Sequence, residues 1–198
     1  SSAASDVYKR QIQDLITALK TEKISVGDPG AAARITYELL ASHVKFTEGN
    51  NNVVRVEYKG PGDTLVAVIG KQIRVGIMPL VVSGQSHFAK KVKIIAITSQ
   101  SALPELPGVK PMASVYPDFV FNLTSTIMLP KNTPKDIADW YTQAVATALK
   151  NPEVKEKYSA SLLQVPTITN PQEYQRYLAR YEKKFEPLVD KVLAQQAK

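Results

Sequence analysis

The chain has 198 residues and 44% hydrophobic content, enough for one domain or two small lobes around a packed core. It holds no cysteine, which excludes disulfides and thiolate chemistry, and no apolar run reaches the length that spans a bilayer. The net charge of +7 and pI near 9.4 raise the question of nucleic acid. Yet the tightest basic cluster, Lys90, Lys91 and Lys93, lacks aromatic interleaving and matches no DNA-binding motif, so no nucleic-acid partner is expected. A dispersed positive field favours small anions instead.

Residues 1–11, "SSAASDVYKRQ", lack the apolar core of a secretion signal. The six residues from Asp6 to Gln11 can be written in codons that resemble a sequencing-library adapter end, so this leader is expected to be non-native or disordered. From Ile12 the pattern becomes that of a folded domain. Ile12, Leu15, Ile16 and Leu19 share one helical face, and residues 24–26 form a short apolar strand. A Gly-Asp-Pro-Gly turn leads into a helix carrying Ile35, Leu39 and Leu40. An alternating strand over residues 53–58 precedes a helix that stops at Gly70. "QIRVGIMP" and "VKIIAITS" read as further strands, with room for a short helix around Gly84. This alternation predicts an α/β class with a mainly parallel, helix-covered sheet.

The proline-rich stretch after Ser101 marks a connection, followed by the apolar "FVFNLTSTIMLP". Thr133 as N-cap with Pro134 at the first helical position predicts the next helix, and Trp140 on its apolar face is expected in the core. Asn151-Pro152-Glu153 and Asn170-Pro171-Gln172-Glu173 repeat the start signal. The last helix turns Tyr174, Tyr177, Leu178, Tyr181, Phe185, Leu188 and Val192 inward, a stripe that reads as packing.

No nucleophile with a base, paired carboxylates or metal-ligand spacing is visible. His43 and His87 read as structural, and no catalytic residue, metal or cofactor is expected. One stretch suits a ligand. In "SVGDPGAA" a strand passes through a Gly-rich turn into a helix, whose first backbone N–H groups and positive dipole end suit a carboxylate or phosphate. It lacks the lysine and hydroxyl residue of a P-loop and the full dinucleotide fingerprint.

From Ile12 to Val192 the chain resembles the substrate-binding proteins of tripartite tricarboxylate transporters, the Bug family of periplasmic receptors. Five blocks in order carry the resemblance: "VEYKGPGDTLVAVIGKQI", "FAKKVKIIAITS", "LPELPGVKPMASVYPDF", "IMLPKNTPKDIADWYTQAVATALKNPEVKEKY" and "TITNPQEYQRYL". The resemblance implies a periplasmic-binding-protein fold of type II, a Venus flytrap whose lobes close on a carboxylated metabolite. It also implies delivery to membrane permease subunits or sensing, a monomer when intact, and a periplasmic location. The family's Gly-Ser-x-Gly-x-Gly ligand turn falls on Gly27, Asp28, Pro29, Gly30, Ala31 and Ala32. A second family strand, ending in a polar residue that faces the ligand, places Met78 and Pro79 there.

The departures are informative. Asp28 stands where a small hydroxyl is usual and would repel a carboxylate, Pro29 removes a donor, and Met78 and Pro79 supply no polar handle. Either a more apolar carboxylate or an amine that meets Asp28 fits this pattern. The family proportions further imply an N-terminally truncated fragment, in which the helices after Thr133 would lack their sheet and expose apolar surface on Trp140 and its neighbours. Residues 12–122 would make one near-complete ligand-binding lobe, and residues 123–198 a crossover strand and C-terminal helices of the other. An α/β enzyme whose catalytic segment lies outside this sequence is the alternative reading.

Overall fold

The computed structural model describes residues 12–46, 53–166 and 170–196; the leader set apart above, residues 1–11, lies outside them. The chain divides into two compact units, residues 1–122 and 123–198.

In the first unit, α1 (Ile12–Thr21) buries Ile12, Ile16 and Leu19 on the face that their spacing predicts. β1 (Ile24–Asp28) follows, then α2 (Ala31–Val44), β2 (Val53–Glu57) and α3 (Pro61–Ile69). After β3 (Val75–Gly76) come α4 (Leu80–Phe88), β4 (Ala96–Ile97) and β5 (Lys110–Pro111), with a single 3-10 turn at Met112–Ser114. The main sheet runs β2–β1–β3 and is wholly parallel: Ile24 to Asp28 pair with Val53 to Glu57, and Val26 and Gly27 with Val75 and Gly76. β1 is therefore the central strand, and its near-continuous burial is that of a strand covered on both faces. Val26, Leu19, Tyr37, Val44 and Val53 are almost wholly buried around it. The helix start at Pro61 and its stop at Gly70 agree with the turn chemistry.

Two strands are shorter than their apolar runs suggest. β3 and β4 each stop after two residues, β3 shortly before Pro79 and β4 where its partner β5 ends on Pro111; proline has no N–H with which to extend a ladder. Among the described residues β4 pairs only with β5, Ala96 against Lys110 and Ile97 against Pro111. The apolar residues 119–130 form no strand, so the expected crossover strand is replaced by irregular chain.

The second unit holds α5 (Lys135–Ala148), α6 (Pro152–Ala160) and α7 (Pro171–Gln196). Thr133 does not cap α5. Its hydroxyl donates to the Pro130 carbonyl at 2.8 Å, and the helix begins one residue later than predicted, after Pro134. Asn151 accepts the Glu153 N–H at 2.8 Å, and Asn170 accepts those of Gln172 and Glu173 at 2.9 and 3.2 Å, as the start signals require. Phe185 and Val192 of α7 are buried, and Tyr174, Tyr177, Tyr181 and Phe185 form a continuous run of ring contacts. Burial pushes the Tyr177 phenol up, and Tyr174 adds to the shift. Of the two expectations for the α5 face, burial in the core fails and exposure holds: Trp140 is 63% exposed, Ile137 and Tyr141 beside it are also exposed, and α5 buries none of its residues. Helical periodicity defines an apolar face without supplying a partner for it.

Candidate functional site

Each parallel strand of the main sheet ends in a short turn and a helix, so three turns gather at its carboxyl edge: residues 28–30 before α2, 58–60 before α3, and 77–79 before α4. From β1 the chain passes first to one neighbour and then across to the other, and such a switch point opens a crevice at the carboxyl ends. Backbone hydrogen bonds tie the turns together. Ile77 N–H donates to the Gly27 carbonyl at 3.1 Å, and Tyr58 N–H donates to the Asp28 carbonyl at 2.9 Å. Residues 27–32 and the distant pair Met78 and Pro79 are thereby brought to one edge.

Within this edge the predicted residues divide by role. Gly27 and Gly76 are paired neighbours, and a Cβ on Gly27 would stand 2.5 Å from Ile73 Cδ1 and 2.8 Å from Thr64 Cγ2. The absence of a side chain lets α3 press its buried Thr64 onto the sheet. Gly30 is the N-cap of α2 at φ 127°, a conformation open to glycine, and it offers no side-chain cap. Ala31 is exposed and Ala32 half-buried. Their N–H groups belong to the first helical turn, where no intrahelical acceptor exists. Pro29, Met78 and Pro79 are half-buried and supply no polar side chain.

Asp28 behaves differently from the expectation that it faces a ligand. Its side chain is almost wholly buried; Oδ1 accepts the Gly30 N–H at 3.0 Å and Oδ2 accepts from Arg55 Nη1 at 3.1 Å. Burial pushes its carboxyl up, opposed by the Gly30 hydrogen bond and by Arg34. Arg34 in turn bridges Glu38 at 3.1 Å, one turn further along α2, and lies 5.6 Å from the Tyr37 ring centre. Asp28 therefore fixes the turn that carries Gly30, with its charge directed inward.

Arg55 and the 58–60 turn did not emerge from the sequence as site residues. The alternation of "VVRVE" places Val53, Arg55 and Glu57 on one face of β2, which was readable; that β2 lies beside β1 in this register was not. His43 and His87 take structural positions. His43 Nδ1 lies 2.8 Å from the Leu39 carbonyl and Nε2 3.0 Å from Asp118 Oδ1, and His87 Nδ1 accepts the Ile94 N–H at 3.3 Å.

Residues 2–193 match the family described as the tripartite tricarboxylate transporter family receptor, TctC. The chain belongs to that family. A UPF0065 protein from the ttuE-ttuC' intergenic region of Agrobacterium vitis is 26% identical over 162 residues, 81% of this chain and 46% of the relative. A second, from the clcB-clcD intergenic region of Pseudomonas knackmussii, is 28% identical over 121 residues, 59% of this chain and 70% of the relative. Among solved structures, a periplasmic transporter superposes with TM-score 0.74 at 22% identity, covering 94% of this chain and 61% of its own. An R. palustris protein solved with adipate gives 0.74 at 22%, covering 88% and 60%. The periplasmic binding protein BugD gives 0.69 at 22%, covering 91% and 60%. The chain thus spans about half the length of the Agrobacterium relative and about three fifths of the solved structures. The fold is α/β and periplasmic-binding-protein-like. The matched family is one of transporter receptors rather than enzymes.

Proposed function

We propose that this chain captures a small carboxylate at the carboxyl edge of its main sheet, as part of an extracytoplasmic receptor that serves a tripartite tricarboxylate-type permease or a sensor. The observation that carries the reading is the start of α2. Its first turn presents backbone N–H groups and the positive end of the helix dipole, Gly30 gives it no side-chain cap, and Ala31 is exposed. The neighbouring β3–α4 turn contributes Met78 and Pro79, an apolar wall suited to the chain of a carboxylate rather than to a second charged head. Adipate in the R. palustris neighbour makes a linear dicarboxylate the first probe. A periplasmic location follows from the same family reading.

The test removes one donor and leaves the helix in place. Proline is tolerated at the first helical position, so Ala31→Pro deletes an N–H with little disturbance of α2. The chain spans about three fifths of the solved receptors, so the parent chain is expected to bind adipate weakly, and calorimetric titration at high ligand concentration measures it. The variant is expected to bind about tenfold more weakly, the size of a lost hydrogen bond to a charged group. Unchanged affinity in a folded variant would remove the α2 turn from the site.

A further inference from the structure

Asp28 poses a physical problem for an anion site. A buried carboxylate directly before a helix start opposes an incoming anion and offsets the positive helix end. The charged groups facing it are Arg55 and Glu57 from β2 and Arg34 and Glu38 from α2, with the Gly30 N–H as a further donor. Arg34 bridges Glu38 and also acts on Asp28, whose carboxyl pKa it lowers. Glu57 is largely exposed, 3.5 Å from Arg55, where water and salt screen it. Arg55 is the group that meets the Asp28 oxygen left over from the turn.

Resting on the carboxylate-receptor reading above, we infer that Arg55 is a specificity-determining residue that acts through Asp28. By holding that carboxylate it lets the β1–α2 turn accept an anionic head, and it denies an amine the counter-charge that would attract it. Of the two solute chemistries that the sequence left open, the geometry therefore selects the carboxylate. A single nitrogen of Arg55, Nη1, meets both Asp28 and Glu57, so its contribution is that of a positive charge. Without Arg55 the cluster keeps Asp28, Glu38 and Glu57 against Arg34 alone.

The experiment titrates the 198-residue chain with adipate and, separately, with 1,6-diaminohexane. Arg55→Gln is expected to weaken adipate about tenfold and to strengthen the diamine. Arg55→Lys keeps the charge and is expected to retain adipate, and Asp28→Asn combined with Arg55→Gln is expected to restore it. A structural defect lowers both ligands together, and that result in folded variants would overturn the inference. If the parent chain binds neither probe, the carboxylate reading fails, and the ion pair is judged by thermal unfolding against pH. A carboxyl whose folded pKa is raised contributes stability that is present below the ordinary value, 3.8, and lost as pH rises through the folded pKa. Arg55→Gln removes the 3.1 Å bridge to Asp28 Oδ2, so it is expected to lose more stability above the folded pKa, where the carboxyl is ionised, than below it, and the double variant is not. Parallel curves for all three would overturn the pairing role.

Discussion

A methyl group on Gly27 meets Ile73 Cδ1 and Thr64 Cγ2 inside van der Waals contact, and both neighbours are buried among α3 and the strands. At Gly76 the nearest atom is Met78 Cε, 2.6 Å away, the end of a flexible side chain, with Val68 and Thr64 methyls at 3.0 and 3.1 Å. Gly27→Ala is therefore expected to lower stability by about 1–3 kcal/mol, and Gly76→Ala by less, because Met78 can swing aside. Denaturant unfolding of the two variants side by side measures the difference. Equal losses would mean that Met78 is held as rigidly as Thr64. At this scale the sequence located the turn, and the structure gives two of its residues tasks in packing and pairing. Gly27 serves close packing, and Asp28 serves the turn and its own neutralisation. Spacing within a loop reveals where a turn lies, whereas the direction of a side chain depends on what packs against it.

Elements governed by local chemistry were the most legible. The starts of α6 and α7 at Asn151 and Asn170 follow from side chains that reach N–H groups two or three residues away. Asn151→Ala and Asn170→Ala are each expected to destabilise their helix by about 1 kcal/mol, measured by thermal unfolding followed by circular dichroism. Thr133→Ala is expected to have a smaller effect, since its hydroxyl bonds a preceding carbonyl and caps nothing. What local chemistry did not decide was pairing. The apolar runs around β3 and β4 promised longer strands, but ladder length depends on the partner, and prolines at 79 and 111 limit it. The Asp28–Arg55 bridge was illegible for the same reason: it joins two strands whose adjacency is a property of the sheet. The candidate site was thus half readable, as turns and helix starts, and half hidden, as the charges between them.

On the scale of the whole molecule, the single tryptophan lies in the second unit while the candidate site lies in the first. Trp140 is exposed, so its emission is expected to be that of a hydrated indole and to be quenched readily by iodide. Trp140→Ala is expected to change stability by less than about 0.5 kcal/mol in denaturant unfolding. A blue-shifted, protected emission would show that the α5 face is covered in solution. Finally, the central place of β1 has a consequence for the order of synthesis. β1 is complete at Asp28, yet its two partners end at Glu57 and Gly76, both later in the chain. On the ribosome the strand therefore emerges with both hydrogen-bonding edges open, and it keeps one open until Gly76 has left the exit tunnel. The β1–α2 turn cannot reach its final geometry before then, because the bonds that fix Gly27 and Asp28 come from Ile77 and Tyr58.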